Sequence, residues 1–362
     1  MREPFDLTTL IEPLLNWFKD HARVLPWRNE PTPYRVWVSE IMLQQTRVEA
    51  VKPYFDRFLK ELPDVAALSD CPEEKLLKLW EGLGYYNRVR NMQIAAQAVM
   101  ENYHGELPAD YEALTKLKGI GHYTAGAIAS IAFGIPVPAV DGNVLRVISR
   151  VTEDDADIMK ASVRTAMEKD LLEIMPENRA GAFNQALMEL GATVCLPNGA
   201  PLCEACPWKE VCRAQKSGRW RELPVKSKAK ARRIEDRTVL VIKAEDKVLL
   251  HKRANKGLLA GLYEFPNVEG HLKEEEVIIY LKKMGLSPIR LKKLEDSRHI
   301  FSHIEWHMTG YAVQIDETEQ EYQNMLFVDV KETEEQYPIP AAFSRYTGYM
   351  NIRLGNDRYK EE

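Results

Sequence analysis

The apolar repeat changes once along this 362-residue chain, and the change falls on a basic, proline-broken stretch. Up to residue 212 apolar side chains recur three and four apart, the spacing that lines one face of a helix. They do so in Leu10–Phe18, Val36–Val51, Glu73–Leu79, Met92–Met100 and Thr124–Ile131. Ser69-Asp70-Cys71-Pro72-Glu73-Glu74 marks a helix start, with proline and acidic residues in the first turn. From Thr238 the pattern shortens. Thr238–Lys243 and Val248–Arg253 are β-rich runs separated by Ala244-Glu-Asp-Lys247, a hairpin signal. Lys273–Met284 reads as a helix ended by Gly285, and Glu305–Ile315 alternates as a strand. The expectation is a multidomain chain: an all-α domain over 1–212, a linker over 213–235 and an α+β domain over 236–362.

Composition excludes several classes. Apolar residues make up 45% and charged residues 28%, which is globular rather than disordered. The N-terminus carries Asp6, Glu12 and Asp20 without an uninterrupted apolar core, so it does not read as a secretory signal. The longest mostly apolar run, Gly126–Val140, holds two prolines and is too short to span a bilayer. A cytoplasmic protein without a membrane partner is expected, monomeric in its simplest form. Net charge is −5, but it is unevenly spread. Residues 1–200 hold 21 basic and 28 acidic side chains, 201–300 hold 23 and 14, and 301–362 hold 5 and 12. From Arg213 to Arg233 nine Lys and Arg face a single acid, Glu222. Such a stretch suits phosphate contact, or simply a solvated linker.

Cys195, Cys203, Cys206 and Cys212 fall within eighteen residues as C-x7-C-x2-C-x5-C. In a reducing compartment this spacing points to a metal or cluster site rather than disulfides. Spacing alone does not separate zinc from an iron–sulfur cluster. Cys71, at a helix start, reads as a packing residue.

Three further stretches carry chemistry-bearing residues. Leu114 to Ala129 reads helix, Gly119-x-Gly121 turn, helix, and the amides at the second helix start would suit a DNA phosphate. Asp141 ends an apolar run and opens a helix, where Asp141 or Asn143 would cap the first amides. Glu40 shares a helical face with Val36, Trp37 and Leu43. Desolvation there would raise its pKa toward that of a general acid, unless it is a surface residue paired with Arg47. Tyr85 and Tyr86 follow a glycine pair and stand beside Arg88 and Arg90, a combination suited to stacking on DNA.

Several short motifs occur in one order: PWR at 26–28, SEIMLQQTRVE at 39–49, GLGYYNRVRN at 82–91, LKGIGHYTA at 117–125, VDGNVLRV at 140–147, then the four cysteines. That order resembles the helix–hairpin–helix base-excision DNA glycosylases that carry a 4Fe–4S cluster. It is most similar to their adenine-specific branch, which removes adenine mispaired with 8-oxoguanine or guanine in double-stranded DNA. The resemblance implies one 4Fe–4S cluster on Cys195, Cys203, Cys206 and Cys212. It implies that Glu40 protonates the adenine, that Asp141 stabilises the sugar cation, and that Tyr123 and Asn143 support them. Gln185 would contact the flipped adenine. Gln45 and Tyr85 would enter the base stack, Thr46 and Leu83 would lie near the opposite base, and Gly119 and Gly121 would form the DNA-binding hairpin.

The α+β domain resembles the Nudix-like domain of the same family, with Phe301, Ser302 and His303 matching its 8-oxoguanine-reading loop. Glu274–Glu276 do not make the metal-binding run of a Nudix hydrolase, so no hydrolase activity is expected there. His299, His303 and His307 are too far apart along an extended strand to share an ion. Endonuclease III-like members carry a Schiff-base lysine where this chain has Tyr123, so strong β-lyase activity is not expected. The first cysteine gap is seven residues where six is common, with the extra residue in the Leu196–Leu202 loop. Two rival readings are a thymine–guanine mismatch glycosylase of the same fold and a non-enzymatic iron–sulfur DNA-binding regulator. The second domain argues against the first, and dependence on Glu40 would exclude the second.

Overall fold

A computed structural model describes residues 4–227, 231–316 and 325–359. Packing divides the chain into two units, Met1–Asp70 with Asn91–Lys228, and Cys71–Arg90 with Ala229–Glu362. The excursion of residues 71–90 into the second unit is not visible in the sequence, where that stretch reads as another amphipathic helix.

The first unit is helical. Its apolar repeats become the helices Ile11–His21, Pro33–Leu43, Val48–Glu61 and His122–Phe133, and Met92–Met100 lies inside Asn87–Tyr103. One expectation needs correcting. The repeat over Val36–Val51 is broken into two helices, because Gln45 adopts a left-handed φ of 59° that a helix cannot accommodate. One core gathers Leu10, which precedes the helix Ile11–His21, Leu14 and Trp17 of that helix, Val144, Ile148 and Val151 of Gly142–Thr152, and Phe183, Leu187 and Leu190 of Ala180–Thr193. Trp208 of the cysteine loop joins it, 2% exposed, its indole N–H donating to Leu10 O at 3.0 Å.

The second unit is a sheet with helices. Its described strands are β1 (Arg233–Ala244), β2 (Lys247–Lys252), β3 (Tyr263–Glu264), β4 (Asn267–Glu269), β5 (Pro288–Lys293), β6 (Ser297–Ile300), β7 (Ile304–Ile315) and β8 (Met325–Asp329). The main path runs β3-β2-β1-β7-β5, with β4 on β1, β6 on β7 and β8 on β2. β1 and β7 pair in parallel from Arg233↔Ile304 to Lys243↔Gln314, while β1 and β2 form the expected hairpin, Ala244↔Lys247 flanking its turn. Alternation sends Val239 and Val241 to one core with Trp306, and Leu240 and Ile242 to another with Val277 and Leu281 of the helix Glu274–Lys283. The fold class is thus an all-α domain followed by an α+β one. Short helices Arg213–Ser217 and Arg219–Arg221 occupy the start of the stretch expected as linker. Among the described residues no helix is long and apolar enough to cross a membrane.

Candidate active site

A cavity of about 630 Å3 in the first unit is lined by Glu40, Gln45, Thr46, Tyr123, Asp141, Asn143 and Gln185. Four helices and the turn that follows the first of them deliver these side chains. Thr32 caps the helix Pro33–Leu43, its hydroxyl accepting from the Arg35 amide at 3.3 Å. Two turns on, Glu40 is 6% exposed, with Val36 and Leu43 in the same wall. The surface pairing with Arg47 is therefore not what the fold makes of this residue. Tyr123, in the first turn of His122–Phe133, donates its hydroxyl to Glu40 Oε2. Burial pushes the Glu40 carboxyl up to about 7, with the nearby Asp141 charge adding and the Tyr123 hydrogen bond and Arg28 opposing. Burial, together with the neighbouring carboxylates, holds the Tyr123 phenol far above its ordinary value, so it remains a donor.

Asp141 caps Gly142–Thr152. Its Oδ1 accepts from the Val144 amide at 2.8 Å and its Oδ2 from Asn143 Nδ2 at 2.7 Å. Burial raises its pKa, and these two donors oppose the rise. Asn143 Oδ1 in turn accepts from Arg146 Nη2 at 2.8 Å, and the same guanidinium donates to the carbonyls of Gly191 at 2.7 Å and Cys195 at 2.8 Å. The carboxylate and the first cysteine are so joined by one run of hydrogen bonds.

The opposite wall is the helix Ala180–Thr193. Gln185 Oε1 accepts from Arg28 Nε at 3.1 Å. One turn on, Glu189 is 1% exposed and accepts from Arg28 Nη2 at 2.9 Å and from Arg23 Nε at 2.6 Å. These pairs hold its carboxyl below the usual range despite its burial. Arg23, Arg28, Met188 and Glu189 also line the cavity, and of these Arg28 stands in the PWR motif. The signal that could have found them is the one-turn spacing of Gln185, Met188 and Glu189. Among the described residues no lysine lines this cavity.

Gln45 and Thr46 sit in the turn after Glu40, Gln45 exposed and left-handed at its rim. Gly119 takes a φ of 80° in the turn joining Tyr111–Lys116 to His122–Phe133, where a Cβ would come within 2.7 Å of Asn91 Cβ. Gly121 is the extended residue before the second helix. The remaining predicted residues lie in the second unit. Leu83 is buried, whereas Tyr85 is 49% exposed with a φ of 48°. Phe301, Ser302 and His303 form the tip of the β6–β7 hairpin, closed by Phe301 N–H to Ile304 O at 2.8 Å. Phe301 packs on Trp306 and His299, leaving Ser302 and His303 exposed.

The four cysteines surround one small cavity of about 30 Å3 with Arg150, which donates to Cys195 Sγ at 3.3 Å. Among the described residues no three His, Cys, Asp or Glu groups converge tightly enough for a single ion. The donor set, four thiols facing one hollow, fits a thiolate-held cluster. The seven-residue gap is absorbed by an exposed loop closed by Leu202 N–H to Val194 O at 2.9 Å.

Two family models match the chain. Residues 38–173 match the HhH-GPD superfamily base excision DNA repair protein family, and residues 237–347 match the NUDIX domain family. The adenine DNA glycosylase of Buchnera aphidicola subsp. Baizongia pistaciae is 34% identical over 82% of this chain and 84% of its own length. The mouse adenine DNA glycosylase is 36% identical over 86% of this chain and 72% of its own. Among solved structures, a thermostable thymine-DNA glycosylase superposes with a TM-score of 0.52 at 26% identity, covering 59% of this chain and all of that one. A non-covalent endonuclease III–DNA complex gives 0.50 at 26% identity, covering 60% of this chain and all of that one.

Proposed function

The chain belongs to the adenine DNA glycosylases, base-excision repair enzymes of the helix–hairpin–helix superfamily, and we propose that its substrate is adenine opposite 8-oxoguanine or guanine in duplex DNA. The observation that carries the mechanism is the buried Glu40 beside Tyr123 and Asp141. A purine leaves a sugar readily only once its ring is protonated, and in duplex DNA the bond is reachable only after the base is flipped out. The cavity receives the flipped adenine, with Gln185 and Arg28 at one wall. Glu40 holds its proton near neutral pH. Tyr123 occupies Oε2, leaving Oε1 to deliver that proton to the adenine. The bond from C1′ to N9 breaks, its electrons leave with the base, and the Asp141 carboxylate faces the sugar cation. Water then adds to C1′ and returns a proton to Glu40.

Tyr123 supports a monofunctional enzyme, since a phenol forms no Schiff base and no lysine among the described residues lines the cavity. Cys195, Cys203, Cys206 and Cys212 would hold a 4Fe–4S cluster, which cross-links the loop. Gln45 and Tyr85 enter the stack, Thr46 and Leu83 lie near the opposite base, and the Phe301, Ser302 and His303 loop reads the lesion. Against the thymine reading stands coverage: the adenine glycosylase relatives match more than four-fifths of the chain, the thymine-DNA glycosylase 59%.

The test uses duplex DNA with one adenine opposite 8-oxoguanine and measures strand cleavage before and after alkali. Cleavage only after alkali is expected. Cleavage without alkali would refute the monofunctional assignment, and no cleavage at all would refute the mispair.

A further inference from the structure

Residues 71–90 are anchored to the second unit by a buried ion pair. Lys78 and Glu81 are 5% and 1% exposed. Lys78 Nζ donates to Glu81 Oε1 at 2.9 Å and to the carbonyls of Thr333 and Tyr337, both at 3.0 Å. Glu81 accepts the amides of Ile339 at 2.9 Å and Gly355 at 3.0 Å. Arg90 adds a bond to Ala260 O at 2.6 Å. Glu81 is the residue before the loop Gly82-Leu83-Gly84-Tyr85, in which Gly82, Gly84 and Tyr85 have φ of 97°, 68° and 48°. A tyrosine rarely adopts that conformation unless its surroundings impose it.

The imposing groups are on either side. Trp80 Nε1 donates to Gly84 O at 3.0 Å. Arg88 Nη2 donates to the carbonyls of Leu83 at 2.9 Å and Gly84 at 3.2 Å. Its guanidinium lies 5.4 Å from the Trp80 ring and 5.5 Å from the Tyr85 ring, within cation–π reach of both. So held, Tyr85 keeps its hydroxyl 3.4 Å from Ser302 Oγ at the hairpin tip.

We propose that Arg88 is a positioning residue for lesion discrimination, presetting Tyr85 beside the Ser302 hairpin before DNA arrives. This rests on the reading of Tyr85 and Ser302 given above. Arg88 acts through Tyr85 and takes no part in proton transfer, so its loss lowers the preference for 8-oxoguanine over guanine without slowing the chemistry at guanine.

The experiment uses the full-length, cluster-loaded protein as wild type, Arg88→Gln, Arg88→Lys, Tyr85→Ser and Arg88→Gln/Tyr85→Ser. Single-turnover rates and DNA affinity are measured with adenine opposite 8-oxoguanine and opposite guanine. Arg88→Gln should lose about tenfold in the ratio between the two substrates, as misplacement of a contacting group does. Its rate at saturating enzyme on the guanine duplex should stay within about twofold of wild type, a split that general destabilisation would not give. Arg88→Lys keeps the charge, and with it the fold if glutamine does not, but lacks the planar fork and should fall with glutamine. The double variant should be no worse than Tyr85→Ser, since both changes act on one ring. Full discrimination in both Arg88 variants, or losses that multiply in the double variant, would overturn the proposal. Wild type without discrimination, or Tyr85→Ser with all of it, would instead overturn the reading beneath it.

Discussion

Removing the Tyr123 hydroxyl tests how the acid is tuned. In Tyr123→Phe the Glu40 carboxyl loses its hydrogen bond from the phenol, an interaction that favours the charged form. Hydrogen bonds to charged groups are worth about 1.5–3 kcal/mol. At about 1.4 kcal/mol per pKa unit, Glu40 should rise by about one to two units above its present value. The wild-type value is about 7, and the reaction needs the protonated form. The wild-type rate should therefore fall about tenfold per pH unit above neutrality, to about 1% of its plateau at pH 9. The variant should retain about 10% or more of its own plateau there, with its limb displaced upward. The plateau itself drops, because a weaker acid gives up its proton less readily. The assay is the single-turnover release of adenine from pH 5 to 9, read as alkali-labile strand cleavage with enzyme in excess. A limb that stays where it is in wild type, or moves down, would refute the argument that Glu40 is the titrating acid and Tyr123 its hydrogen-bond donor.

Two further substitutions test the opposite walls of the cavity. Glu40→Gln should abolish adenine release while retaining DNA binding, and should also stabilise the fold at high pH. The Glu40 carboxyl is raised from 4.5 to about 7 on folding, so its contribution is intact below pH 4.5 and is lost as pH rises through 7. The gap corresponds to about 3 kcal/mol, and urea unfolding of the two proteins should diverge in glutamine's favour between pH 4.5 and 8; curves that stay parallel across that window would count against the desolvated carboxyl. Glu189→Ala leaves Arg23 and Arg28 without their shared carboxylate. Removing one partner of a buried pair costs about 3–5 kcal/mol, less here because both arginines reach solvent. Arg28 then no longer braces Gln185, so KM should rise with kcat less affected; an unchanged KM would separate Gln185 from the substrate.

Much of this architecture is legible in the sequence because periodicity reports burial. The β1–β2 hairpin, the helix ended by Gly285 and the switch of repeat all follow from spacing. What spacing misses is backbone conformation and long-range contact. Val51 keeps the helical spacing from Leu43, eight residues earlier, across the break at Gln45, so the repeat hides the turn that presents Gln45 and Thr46. Glu73–Leu79 shows an apolar face but not what covers it, and the Lys78 and Glu81 partners lie some 250 residues away along the chain. Glu189 meets Arg23 from 166 positions off, which no local pattern records.

The two carboxylates of the cavity illustrate the same division. Composition offers no reason to give Glu40 the proton and Asp141 the charge. Both are carboxylates, both are desolvated, and burial raises both. The difference lies in their donors. Asp141 stands at a helix N-terminus, where the Val144 amide and the Asn143 side chain bond both of its oxygens and the aligned peptide dipoles favour its charge. Glu40 lies in the last turn of its helix, far from an N-terminus, with one phenol donor and Asp141 opposing its ionisation. When two acids share a dry site, the better-solvated one by protein dipoles ionises first, and its charge then holds the proton on the other. Each carboxylate thus makes the other fit for its half of the reaction: an ionised Asp141 for the sugar cation, a protonated Glu40 for the base.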